Sequence, residues 1–104
     1  MIQIISGLRY NTNTAEKIAY WCDGLDQGDF RRCNEALYKT AKDAWFVAGE
    51  GGPLSRYSQP ANGGGMTGGE AIRPLTPDAA RLWLEGKGFV DELEEHFSGE
   101  IEDA

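Results

Sequence analysis

This 104-residue chain is short of the groups on which most small catalytic and metal centres are built. It holds one histidine and two cysteines. With His96 alone, set among glutamates, a Ser-His-Asp or Cys-His arrangement has no support around it. Cys22 and Cys33 stand too far apart for a CxxC pair, and no His/Cys cluster exists to hold zinc. They read as two buried small hydrophobes rather than a disulfide. Asp26 and Asp29 do not fit the spacing of a calcium loop. No catalytic residue, cofactor or metal is therefore assigned. Long apolar runs are also missing, as is a basic segment followed by a hydrophobic stretch, so neither a membrane span nor a secretion signal is expected. One compact domain, 1–104, is the expected organisation.

Positive charge is scarce at one end. Residues 1–84 balance nine acids with nine bases, whereas residues 85–104 set eight acids against Lys87 alone, so the entire net charge of −7 lies there. Glu85, Asp91, Glu92, Glu94 and Glu95 are the candidate partner-binding residues. Such a segment is either a solubilising face or an electrostatic docking surface for a basic partner. Direct nucleic-acid binding conflicts with this charge. The Arg31-Arg32 pair, next to Asp29 and Glu35, reads as a solvated, self-paired connection.

What is present is strand-forming sequence. Asn34 to Pro53 contains two aromatic-rich runs, 36–40 and 44–49, that alternate with the period of two that strands require. A short polar turn separates them, in which Asp43 tolerates a positive φ. Gly49, Gly51, Gly52 and Pro53 end the second run. The expected fold is therefore α+β: a small antiparallel sheet built on this central hairpin and packed by two to three helices. Residues 1–5 and 8–11 read as a small N-terminal hairpin.

A helix is expected near 14–22, capped by Asn13 or Thr14 with Glu16. Ile18, Trp21, Cys22 and Leu25 then fall on one stripe at i, i+3, i+4 and i+7. The stretch 51–70 reads as a glycine-rich surface loop. Its Gly63-Gly64-Gly65-Met66-Thr67-Gly68 matches G-x-G-x-x-G by letter, but neither a strand leading in nor a helix opening from it is expected. Ala71 to Leu75 reads as a third strand, limited by Pro74 to an edge.

Thr76-Pro77-Asp78 then starts a helix with apolar residues Ala79, Leu82 and Trp83. A second helix buries Phe89, Val90, Leu93 and Phe97 and turns its acids outward. Residues 85–104 thus form an acidic C-terminal helix and tail. Trp21, Phe46, Trp83 and Phe97 are expected in the core.

Several segments together resemble small uncharacterised proteins of bacteriophages and mobile elements. They are Arg9-Tyr10-Asn11-Thr12, Glu35-Ala36-Leu37-Tyr38, Gly49-Glu50-Gly51-Gly52-Pro53 with Tyr57, Pro74-Leu75-Thr76, and Ala80 to Leu84. The resemblance spans most of the chain, and it implies an accessory-gene setting in which small acidic proteins inhibit host defence complexes, as anti-CRISPR proteins do. On that basis the expected function is an anti-CRISPR-like inhibitor in the host cell cytoplasm. Its partner would be a subunit of a host CRISPR-Cas effector complex, and its acidic residues would block target DNA binding. The alternative is a small enzyme or nucleotide-binding domain using Glu50, Tyr57 and the glycine-rich loop.

Overall fold

A computed structural model describes all 104 residues. Its centre is the expected hairpin: β4 (Cys33–Lys39) and β5 (Trp45–Gly51) pair antiparallel from Cys33↔Gly51 to Lys39↔Trp45. The Thr40–Ala44 turn closes on the Thr40 hydroxyl, which accepts from the Ala44 amide at 3.0 Å, and Asp43 takes a φ of 63°. An aspartate tolerates that left-handed conformation better than most side chains. The third strand, β8 (Gly69–Leu75), flanks β5 and is an edge, as Pro74 requires.

The fourth strand corrects the sequence reading. Residues Glu16–Cys22 are not a helix but β3, the other edge, giving the antiparallel order β3-β4-β5-β8. The physical reason is a bulge. Lys17 pairs with Tyr38 and Ala19 with Leu37, so Ile18 is an extra residue opposite no partner. Ile18 and Ala19 therefore both pack toward the same core, and Ile18 and Trp21 acquire a three-residue spacing that imitates a helical stripe. The expected cap is a turn instead: the Asn11 side chain accepts from the Asn13 amide, and the Asn11 carbonyl accepts from the Ala15 amide. The side chains that cap helices serve turns equally well. Leu25 lies outside the element and is exposed.

A separate two-stranded sheet, β1 (Ile2–Ile5) with β2 (Leu8–Asn11), is the N-terminal hairpin. The stretch 51–70 carries a further two-stranded ribbon, β6 (Gln59–Pro60) with β7 (Met66–Thr67). Gly63, Gly64 and Gly65 occupy its exposed tip, and a strand rather than a helix follows, so the glycine run makes no phosphate cradle.

The helices start where expected. In α1 (Pro77–Lys87) the Thr76 hydroxyl accepts from the Ala79 amide at 3.1 Å, and Gly88 ends the helix at φ 78°. Its buried stripe is Ala80 and Leu84, with Trp83 half-buried; Leu82, expected on the apolar face, is 57% exposed. In α2 (Val90–Phe97) Phe97 is buried and stacks on Trp45 at 5.2 Å, while Val90 is exposed rather than packed. Both corrections are rotations of about one residue around a helix whose existence the pattern had right. Phe46 and Phe97 are buried as expected, and Trp21 and Trp83 are half-buried. No helix is long and apolar enough to cross a membrane.

The four-stranded sheet has two covered faces. Ala19, Leu37, Trp45 and Val47 meet Ala80, Leu84 and Phe97 on the helix side. Ala36, Tyr38, Phe46 and Ile72 meet Tyr10 of the small hairpin on the other.

Candidate functional site

Strand parity places Glu35 on the helix side of β4, in line with Leu37. It is 2% exposed, the one charged residue buried in the core. A carboxylate in such a place must be hydrogen-bonded and paired. Its partners converge from three parts of the chain. The Tyr57 hydroxyl donates at 2.5 Å, Arg73 Nη2 at 3.2 Å and Trp83 Nε1 at 3.0 Å. Arg56 Nη1 and Lys87 Nζ approach to 3.6 and 3.7 Å. Lys87 is held in place by the Trp21 ring, 3.7 Å beneath its ammonium.

Tyr57 reaches Glu35 only because of Gly49. The two positions Glu35 and Gly49 face each other across the ladder, and a Cβ at Gly49 would collide with the Tyr57 ring. The glycine is thus a gap in β5 through which the 52–58 loop passes an aromatic ring onto the sheet.

Electrostatically the cluster is a fixed anion inside a cationic rim. Burial pushes the Glu35 carboxyl up, but the hydrogen bonds from Tyr57 and Trp83 and the charges of Arg56 and Arg73 outweigh it and hold the group below its ordinary value. Burial and the neighbouring carboxylate push the Tyr57 hydroxyl up to about 12. Glu35 is a weak base that already accepts three hydrogen bonds, and Tyr57 keeps its proton. The pair is suited to holding side chains in place rather than to moving protons.

The structure separates the residues of the enzymatic alternative. Tyr57 lies on the helix side and is committed to Glu35, whereas Glu50 is exposed on the opposite face and accepts from Asn34 Nδ2 at 3.0 Å. Glu50 instead borders a cleft of about 270 Å³ beside the small hairpin, with Lys17, Tyr20, Asn34 and Glu70. His96 packs edge-on against Trp45 at 5.7 Å. Cys22 and Cys33 are free and, by strand parity, point to opposite faces of the sheet; Cys22, expected to be buried, is exposed on the edge strand β3, and Cys33 is half-buried. Burial and the charge of Glu35 push the Cys33 thiol up, away from reactivity.

The acidic candidates divide. Asp91, Glu94 and Glu95 are exposed on α2, whose Leu93 and Phe97 pack inward. Glu92 is half-buried. Glu85 stands apart on α1, where Arg81 holds it at 2.6 Å while also reaching Glu100 at 3.2 Å. Arg81 thereby neutralises part of the acidic segment and clamps the final 3₁₀ turn, Ser98–Glu100, against α1.

Sequence reasoning missed the Glu35 cluster, reading Glu35 as a surface partner of Arg31 and Arg32. Arg31 pairs with Asp29 at 3.1 Å, and Arg32 Nε donates to the Gln27 carbonyl. A signal was present: Glu35 shares parity with Leu37, and a carboxylate at an inward strand position demands cations from elsewhere. Comparison with protein-family models, curated proteins and solved structures finds no match.

Proposed function

We propose that this chain is a non-enzymatic inhibitor of the anti-CRISPR type. In this reading the exposed acids of α2 dock on a basic, nucleic-acid-binding surface of a host CRISPR-Cas effector subunit and exclude target DNA. The observation that carries the proposal is the placement of Asp91, Glu94 and Glu95. They project from a helix anchored by Leu93 and Phe97; no lysine or arginine pairs with them, and only Glu95 has a neighbour of possible opposite charge, His96 Nε2 at 3.8 Å. Carboxylates on a rigid element that no lysine or arginine neutralises offer the kind of negative charge that phosphate-binding lysines and arginines are placed to meet. Glu85 contributes less, because Arg81 already engages it.

Exposed ion pairs contribute roughly 0–1 kcal/mol each, so single substitutions are expected to act weakly and a triple charge reversal strongly. The test is Asp91→Lys, Glu94→Lys and Glu95→Lys together, with the fold verified by circular dichroism. Binding to purified CRISPR-Cas effector complexes and their retention of target DNA are then measured at low and high salt. The expected result is a loss of binding of about tenfold or more at low salt. Undiminished inhibition with an unchanged salt dependence would show that the acidic face is only a solubilising surface.

A further inference from the structure

The cations around Glu35 outnumber it three to one. Arg56, Arg73 and Lys87 all lie within 3.7 Å of its two oxygens, yet only Arg73 makes a hydrogen bond to it. Arg56 and Lys87 stand at ion-pair distance but beyond good hydrogen-bond length, so their N–H groups remain uncommitted. Arg73 Nε is buried and has no partner. Glu35 accepts from Tyr57 and Arg73 on one oxygen and from Trp83 on the other, a single negative charge set against three cations.

The three side chains reach the surface in part: they are 55%, 38% and 24% exposed for Arg56, Arg73 and Lys87. The result is a local excess of two positive charges, on a chain of net charge −7, held rigidly from beneath by a buried carboxylate.

We propose that Arg56, Arg73 and Lys87, seated on buried Glu35, form a second docking point, one that receives a single carboxylate side chain from an acidic segment of a protein partner. Arg56 supplies a forked donor, Lys87 a point charge, and Arg73, bonded through Nη2 to Glu35, adds its remaining positive charge. A nucleic acid is a poorer occupant. Duplex DNA presents a charge about every 1.7 Å, and all but one of those would meet a net-negative protein, whereas an isolated carboxylate brings one charge to a site with two to spare. This site is separate from the acids of α2 and opposite in sign.

The experiment titrates the intact ¹⁵N-labelled protein with four probes: a capped Leu-Asp-Glu-Leu peptide, its Leu-Asn-Gln-Leu counterpart, inorganic phosphate, and a single-stranded oligonucleotide. The readouts are the Arg73 Nε–H and Trp83 indole resonances. The acidic peptide is expected to shift both saturably, with a Kd of about 1 mM for so small a probe. The amide peptide is expected to shift neither. Arg56→Gln, an exposed position whose loss leaves Tyr57 and Trp83 on Glu35, is expected to weaken the acidic peptide about five- to tenfold. Triple reversal of Asp91, Glu94 and Glu95 leaves this binding in place. The proposal is overturned if the acidic peptide produces no saturable shift in the unaltered protein. It is equally overturned if the amide peptide, phosphate or the oligonucleotide matches the acidic peptide, or if Arg56→Gln binds unchanged.

Discussion

The two faces of the four-stranded sheet are built from the same strands by different physics. On the hairpin side, Phe46 is fully buried between Tyr38, stacked at 5.1 Å and 7°, and Tyr10, edge-on at 5.5 Å and 72°. That face is held by aromatic area, and its lid is a two-stranded ribbon whose outer residues Ile2, Ile4 and Leu8 are exposed. Two strands alone have too little buried surface to be stable, so the lid depends on the sheet. On the helix side, Leu37, Val47 and Leu84 form an apolar centre that gives way, toward the Glu35 end, to a charged cluster drawn from β4, β8, α1 and the 52–58 loop. The apolar part tolerates any partner of the right shape. The charged part accepts only its own set of donors, so it fixes how α1 and the loop sit on the sheet, and the chain keeps its uncommitted cations there.

The sharpest way to break this comparison is to remove the centre of the aromatic face. Phe46→Ala deletes a fully buried ring with two aromatic neighbours, and large-to-small changes of this sort cost about 3–5 kcal/mol. Because no charge is involved, the loss measured by urea unfolding is expected to be the same at low and high salt and near neutral or acid pH. A loss below about 1 kcal/mol would mean that the hairpin side is a cover and not a core.

Glu35→Gln is the matching change on the helix side. It keeps the shape and removes the charge, leaving Arg56, Arg73 and Lys87 facing one another. Breaking a buried pair costs about 3–5 kcal/mol when both groups are enclosed; here the cations are partly exposed, so about 2–3 kcal/mol is expected. The pH dependence separates it from a packing defect. The folded-state pKa of Glu35 lies below its ordinary 4.5, so its contribution is fully present above that value and is lost as pH falls through the folded pKa. Glu35→Gln is expected to lack that acid loss, whereas Phe46→Ala retains it. Equal acid slopes in the two variants would remove Glu35 as the group responsible.

The same comparison explains what could be read from the sequence. The hairpin was legible because Tyr38, Trp45 and Val47 alternate locally and Gly49, Gly51, Gly52 and Pro53 end the run close by. The start of α1 was legible for the same reason, since Thr76, Pro77 and Asp78 act on the next few amides. Strand β3 was not, because the bulge at Ile18 replaces a period of two with a spacing that a helix would also give. Glu35 was illegible for a different reason. Its hydrogen-bond donors Tyr57, Arg73 and Trp83 lie 22, 38 and 48 residues away, and only the assembled sheet brings them to one point. The acidic bias of α2 is visible in composition, but the Arg81 clamp that withdraws Glu85 from it depends on which face α1 buries, and the periodicity misplaced that face by about a residue at Leu82.

The smallest expected effect is the most discriminating, because it tests whether the two faces are independent. Gln3 of the N-terminal ribbon accepts from the Ile72 amide at 3.1 Å, where β8 presents an unpaired edge to the outside. Gln3 is exposed, so after Gln3→Ala water can reach the freed amide, and the cost falls at the low end for a hydrogen bond, about 0.5–1 kcal/mol. Global stability barely registers such a change. Amide exchange does, since it reports local opening residue by residue. The Ile72 amide is expected to exchange several-fold faster in Gln3→Ala, while those of Leu37 and Val47, beneath the helices, keep their protection. If Leu37 and Val47 accelerate in step with Ile72, the ribbon and the helices open as one unit, and the aromatic and charged faces are a single cooperative core despite their different chemistry.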